Sequence, residues 1–220
     1  EESTDTSAAS DSSEASGSKD SSSSTQEEGT LSPSSGSTFT DNSDSSMDNL
    51  LNQVQSLLPT DNGTWSVYVC NLAKNTEGTI NDQQMQAASL IKLYIMGAVY
   101  EDYDSLSSKY SKDQLDNALN SMITVSDNDA ANSLTTYLGG GDSAAGMQAV
   151  NSFCQAHGYD QTHMGRMLLA SNENDDNYTS VGDCGHLLQE IYKQDTSGYT
   201  HAADMFNLLK AQTRCNKIPA

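Results

Sequence analysis

Gln86 to Glu101, QAASLIKLYIMGAVYE, decides the fold. Leu90, Ile91, Leu93, Tyr94, Ile95, Met96, Ala98 and Val99 leave no polar face. The stretch therefore predicts a helix from about Ser89 to Tyr103, covered on every side in the middle of a domain. One cation, Lys92, interrupts the apolar run a single turn after Ser89. Burial strips an ammonium of hydration and favours the neutral amine, which can act as a base. Side chains three apart share a helix face, so Lys92 reaches the Ser89 hydroxyl. Ser89 falls in the first turn, where open backbone N–H groups and the helix dipole favour negative charge.

Working back from this helix, Trp65 to Leu72 alternates and predicts a strand. Asn75 to Gly78 predicts a turn, and Thr79 to Asp82 a second, short strand. Met47, Leu50, Leu51, Val54, Leu57 and Leu58 repeat at helical spacing, with Asp44, Ser45 or Ser46 as cap and Pro59 as stop. Residues 1–46 hold 18 serines and ten Asp or Glu but a single aromatic, Phe39. Such a stretch cannot bury enough apolar surface to offset its ordering entropy, so a disordered linker is expected there, with the folded domain over 47–220.

Forward of the central helix, Lys112–Met122, Asp127–Tyr137, Ser143–Ala156, Ser180–Lys193 and Ala202–Gln212 predict five more helices. Residues 159–179 show no period, and a loop of that length inside a compact domain is usually functional. The expected architecture is a mixed α/β layer plus an all-helical lobe, with Ser89 at their junction.

The formal net charge is −20. It argues against nucleic acid, whose phosphates demand a basic patch, and against an anionic membrane surface. No apolar run approaches the roughly 18 residues of a membrane-spanning helix. The chain starts without Met, which suits removal of an upstream segment, the one route to membrane attachment foreseen. Cys70, Cys154, Cys184 and Cys215 are even in number, compatible with one or two disulfides in an oxidising compartment or with four unpaired thiols. Neither Cys154 with His157 nor Cys184 with His186 has a standard zinc spacing, so no metal or other cofactor is expected. His163 and His201 read as surface or packing residues, and Glu101, Asp102 and Asp104 as a solvated helix end.

A Ser-x-x-Lys match alone is weak, and a second one, Ser16 to Lys19, lies in the linker. Ser89-Leu-Ile-Lys92 gains weight from Ser126-Asp127-Asn128, which opens a helix 37 residues later. That pair of motifs, in that order, is the pattern of active-site serine penicillin-recognising enzymes. The chain resembles class A β-lactamases and the β-lactamase-related serine hydrolases of Gram-positive bacteria. The resemblance covers about residues 47–220: Trp65 to Tyr68, Ala88 to Lys92, Ile123 to Asn132, Asn177 to Ser180 and Lys217 to Ala220. It implies that Ser89 forms an acyl-enzyme, Lys92 takes its proton, Ser126 relays a proton to the leaving nitrogen and Asn128 binds the substrate's amide. The Ser89 N–H would supply half of an oxyanion hole.

Two departures qualify the resemblance. The family's loop carries a water-activating glutamate two residues after an arginine. Here the arginine would be Arg166, Leu168 stands at the glutamate's place, and Glu173 is the loop's one glutamate. Slow deacylation is expected. The family's third motif, Lys-Thr/Ser-Gly, would follow Lys217 to Ala220, so the chain reads as ending before its C-terminal strands. Losing an oxyanion donor costs about 10²–10³ in rate, and the 220 residues alone are expected not to hydrolyse β-lactams. The expected function is acyl transfer from β-lactams or D-Ala-D-Ala-like peptides of peptidoglycan to water, by an exported, envelope-associated monomer. A catalytically silent envelope binding protein is the alternative.

Overall fold

In the computed structural model, residues 42–61, 63–194 and 199–213 are described. Helix α1 (Ser45–Leu57) is capped by Asp44, whose side chain accepts from Met47 N–H at 2.8 Å. Asn42 O accepts from Glu77 N–H, so Asn42 to Ser46, expected within the linker, already belong to the fold. The rest of the expected linker, and Lys217 to Ala220, lie outside the described residues.

Strands β1 (Val67–Asn71) and β2 (Thr76–Ile80) form an antiparallel hairpin with Val67 opposite Ile80 and Asn71 opposite Thr76. The turn between them is Leu72 to Asn75, three residues earlier than expected, and Asn75 supplies the positive φ of 53° that it needs. Tyr68 and Gly185 meet where the hairpin packs on helix α7 (Val181–Lys193).

A two-residue strand, β3 (Met85–Gln86), leads into a 3-10 turn, Ala88–Leu90, and then helix α2 (Ile91–Glu101). The helix is therefore shorter than its apolar run. It stops at Asp102, where the chain bends into a separate helix α3 (Tyr103–Tyr110). Helices α4 (Lys112–Thr124), α5 (Asn128–Leu138), α6 (Ser143–Ala156) and α8 (Ala202–Lys210) follow the sequence expectation closely and complete the helical lobe.

Ile91, Tyr94, Ile95, Met96 and Val99 of α2 are fully buried. At about 1.5–3 kcal/mol for each such side chain, their burial outweighs the several kcal/mol needed to take one lysine out of water. Close packing sets one residue in particular. A Cβ on Gly97 would lie 2.4 Å from the ring of Phe153 in α6, so only glycine lets the two helices approach this far.

Residues 159–179 are not the periodless loop expected. Strands β4 (His163–Met164) and β5 (Asn177–Thr179) lie within it and form a three-stranded sheet in the order β3, β5, β4. Two asparagines tie this segment to the helical lobe through backbone groups. Asn151 of α6 exchanges two hydrogen bonds with Met164, and Asn132 of α5 does the same with Leu168.

Candidate active site

The pairing of β3 with β5 places Met85 opposite Thr179 and Gln86 opposite Tyr178, and Ala87 N–H donates to Asn177 O at 2.7 Å. The chain then turns through Ala88, a non-glycine residue at φ 46°, to present Ser89. Ser89 thus sits in the tight turn just ahead of α2 rather than within its first turn.

On the opposite wall, α4 ends at Thr124 and α5 begins at Asn128. Ser126 makes the reversal at φ 61°, a left-handed conformation that costs a residue other than glycine about 1–3 kcal/mol. Of the three motif residues, only Asp127 caps the helix, its side chain accepting from Ala130 N–H at 2.9 Å. Ser126 and Asn128 turn the other way, toward Lys92.

Lys92 is buried, with 3% of its surface exposed. Its Nζ lies 2.6 Å from Ser126 O, 2.9 Å from Ser126 Oγ, 2.7 Å from Asn128 Oδ1 and 3.5 Å from Ser89 Oγ. Ser126 Oγ in turn lies 3.2 Å from Ser89 Oγ. Ser126 O and Asn128 Oδ1 can only accept, so Nζ donates to both; it also donates to Ser126 Oγ, which in turn donates to Ser89 Oγ. Each step of the route from Ser89 to Lys92 through Ser126, 3.2 Å and 2.9 Å, is shorter than the direct contact of 3.5 Å.

A second set of residues centres on Asp176, which the sequence reading did not single out, and takes in Arg166, which it did. Asp176, buried, accepts from Arg166 Nε at 2.6 Å and from the Gln86 amide. The Gln86 amide first, then the Asn177 N–H, with Arg166 and Asn172 adding, hold its carboxyl down to about 2. One carboxylate thus joins the segment entering the Ser89 turn to the loop that carries Leu168. Leu168 itself is buried in the apolar core, and the next residue, Leu169, has φ 66° and is exposed. Glu173 is exposed on the same loop.

Asp183 of α7 anchors a third network. Its Oδ2 accepts from Thr162 Oγ1 at 2.7 Å and from Gln161 N–H at 3.0 Å. Thr162 contacts Thr179, and Thr179 contacts the hydroxyl of Tyr94 in α2. Burial, with Asp82 and Asp160 nearby, raises the Asp183 carboxyl to about 6. A sequence signal existed for Asn132, one turn beyond Asn128 and so on the same helix face. Nothing local marks Asp176 or Asp183.

The other candidates are dispersed. His157 pairs with Glu101 at 2.7 Å, His163 with Asp175 at 2.7 Å, His186 with Glu77 at 3.3 Å and His201 with Asp204 at 2.9 Å. Glu101 is thus a hydrogen-bond partner of His157 as well as a helix end. Cys70, Cys154 and Cys184 are thiols, and Cys215 lies outside the described residues. Among the described residues, no group of three or more His, Cys, Asp or Glu is placed to hold a metal, and no helix is long and apolar enough to cross a membrane.

Solved structures share this arrangement of elements. A point mutant of the class A β-lactamase of the last common ancestor of Gram-negative bacteria is 20% identical, with a TM-score of 0.62, over 76% of this chain and 72% of that one. A β-lactamase from Sphaerobacter thermophilus is 17% identical, with a TM-score of 0.56, over 70% of this chain and 65% of that one. The D-alanyl-D-alanine carboxypeptidase DacD from Francisella tularensis is 18% identical, with a TM-score of 0.50, over 69% of this chain and 42% of that one. At these identities the likeness is one of fold, the β-lactamase/transpeptidase fold. No curated protein sequence matches the chain. The sequence model of the β-lactamase enzyme family matches residues 49–115 and 106–220, and so takes in both walls of the Ser89 site. By that match this chain belongs to the β-lactamase enzyme family, and its fold is that of the class A enzymes.

Proposed function

We propose that this protein is an active-site serine hydrolase that forms an acyl-enzyme through Ser89 with β-lactams or D-Ala-D-Ala-like peptides. The observation that carries the reading is the contact set of Lys92. A buried amine meets the hydroxyls of Ser89 and Ser126 and the Asn128 carbonyl in one place.

In the acylation step Ser89 Oγ attacks the substrate carbonyl carbon. Its proton passes to Ser126 Oγ as the Ser126 proton passes to Lys92. The Ser89 N–H supports the developing oxyanion. Collapse breaks the carbonyl C–N bond, and the proton returns from Lys92 through Ser126 to the departing nitrogen. Asn128 holds Lys92 with its Oδ1 and offers its amide N–H to the substrate. The strain at Ala88 and Ser126 fits this assignment, since such backbone conformations gather where geometry is imposed by function.

Hydrolysis of the ester needs an activated water. Leu168 cannot supply it, and among the described residues no contact holds the exposed Glu173 against Ser89. Deacylation is accordingly slow, closer to a penicillin-binding enzyme than to a fast β-lactamase. An exported, envelope-associated location fits the serine-rich acidic segment ahead of α1 and a peptidoglycan-derived substrate.

The test is covalent labelling of the full-length protein by a fluorescent penicillin. Wild type labels, Ser89→Ala does not, and Ser16→Ala labels like wild type. Absence of labelling in a folded wild-type protein would instead support a silent envelope binding protein.

A further inference from the structure

Asp183, Thr162, Thr179 and Tyr94 form one unbroken run of hydrogen bonds from α7 to α2. The steps are 2.7 Å from Thr162 Oγ1 to Asp183 Oδ2, 2.9 Å from Thr162 to Thr179 and 2.7 Å from Thr179 to the Tyr94 hydroxyl. All four side chains are buried. The far end of the run lies against the Ser89 site on two sides. Thr179 stands opposite Met85, whose strand leads through Gln86 and Ala87 into the Ser89 turn. Tyr94 stands on α2, two residues beyond Lys92.

We propose that Asp183 is a positioning residue for the Ser89 site. Through Thr162 and Thr179 it holds β5 against Tyr94, and so fixes the strand and the helix that frame the serine. The inference rests on the Ser89 acyl-enzyme and adds to it a residue, remote in sequence, that governs how fast the ester forms. Each hydroxyl in the run has one proton to give. Ionised, Asp183 can only accept, so Thr162 donates to it, Thr179 donates to Thr162 and Tyr94 donates to Thr179. The order is fixed from end to end, and the charge strengthens the run. A protonated Asp183 can donate as well as accept, and the order is no longer imposed.

Asp82 ahead of β3, Asp160 ahead of β4, and the thiols of Cys154 in α6 and Cys184 on α7 also face Asp183, and none of them is a cation. His186, one turn further along α7, reaches Glu77 at 3.3 Å. Burial pushes the Tyr94 hydroxyl and both thiols up, so they keep their protons where Asp183 loses its own. The run changes charge at Asp183 alone. A neutral side chain of the same size would serve packing better, because a buried charge beside two other carboxylates destabilises the fold. The ordering of the hydroxyls is what the carboxylate adds.

The experiment is the rate of covalent labelling of the full-length protein by a fluorescent penicillin between pH 5 and 8. Asp183→Asn, uncharged at every pH, should match wild type at pH 5. At pH 8 it should label more slowly by about fivefold or more, the lower end of coupling between linked sites. The divergence should centre on the Asp183 carboxyl, at about 6. Tyr94→Phe cuts the run at α2 and leaves the Thr162 and Gln161 contacts of Asp183 in place. It should lose the same advantage at pH 8 yet keep the wild-type change of urea stability between pH 4 and 7. Ser89 labelling that Asp183→Asn slows equally at pH 5 and 8, or not at all, overturns the inference and leaves the serine hydrolase intact. So does a Tyr94→Phe protein with the wild-type pH profile, which decides the matter if Asp183→Asn folds poorly. Labelling of Ser89→Ala at the wild-type rate overturns both.

Discussion

Asn132 grips Leu168 by both of its backbone groups: Leu168 N–H donates to Asn132 Oδ1 at 2.8 Å, and Asn132 Nδ2 donates to Leu168 O at 3.0 Å. Asn132 lies one turn beyond Asn128, which accepts from Lys92, so the same helix that positions Lys92 also positions the loop. Asn132→Ala removes two hydrogen bonds to a partly buried backbone. It should lower stability by about 1–3 kcal/mol, read from the urea midpoint. Hydrogen exchange should accelerate over residues 166–176 while the exchange of α2 stays near wild type.

On the proposed acyl-enzyme, the apolar residue in that grip offers no group that could activate water. A penicilloyl adduct on Ser89 of the full-length protein should survive long enough to be trapped in intact-mass spectra. Glu173→Gln should leave its lifetime unchanged, because that side chain is exposed on the loop. Turnover too fast to trap any adduct would show that another group activates water.

Ser126 carries two separable burdens, a hydroxyl between Ser89 and Lys92 and a left-handed backbone at φ 61°. Both Ser126→Ala and Ser126→Gly remove the relay and should slow acylation by about 10²–10⁴. They should differ in stability. Glycine relieves the backbone strain that alanine keeps, so Ser126→Gly should melt higher than Ser126→Ala by the equivalent of about 1 kcal/mol.

Two carboxylates should set opposite limbs of the stability–pH curve. The Asp183 carboxyl is raised to about 6 by burial, so the folded protein holds that proton more tightly than the unfolded chain. Stability from this group therefore rises as pH falls through 6 toward 4. The difference is on the order of 3 kcal/mol. The Asp176 carboxyl is held down to about 2, so its contribution is present above 4 and is lost as pH falls toward 2. Asp183→Asn should flatten the difference between pH 4 and 7, and Asp176→Asn should lower stability at neutral pH but reduce the acid-side loss. Urea titrations at a series of pH values check both.

The sequence was most readable where apolar periodicity runs long. Helices α1, α4, α5, α6, α7 and α8 follow from it within a few residues, as does the hairpin β1–β2. Its turn was misplaced because Thr76 to Gly78 pairs as strand against Val69 to Asn71 although it contains a glycine. The break at Asp102 was hidden because Tyr103 and Leu106 continue the apolar pattern into α3. Strands of two or three residues have no period to detect, so the sheet that supports Ser89 went unseen. The site itself divides the same way. Ser89, Lys92, Ser126 and Asn128 carry recognisable spacing and meet in the structure. Asp176 and Asp183 act across long sequence separations, and only the fold brings Asp176 to Gln86 and Asp183 to Thr162.

The clamp between Gln86 and Asp176 has a consequence for the order of assembly. The two residues are 90 positions apart, so at about 5–20 residues per second of synthesis, Ser89 exists for roughly 5–18 s before its clamp is made. Until Asn177 to Thr179 emerge, β3 has no strand to pair with and the turn that presents Ser89 has no frame. Loop closure over that span is among the slower events available to the chain. If Ser89 is the nucleophile proposed above, its reactivity toward acyl donors reports late folding, and a chain still being made should carry it as an ordinary alcohol.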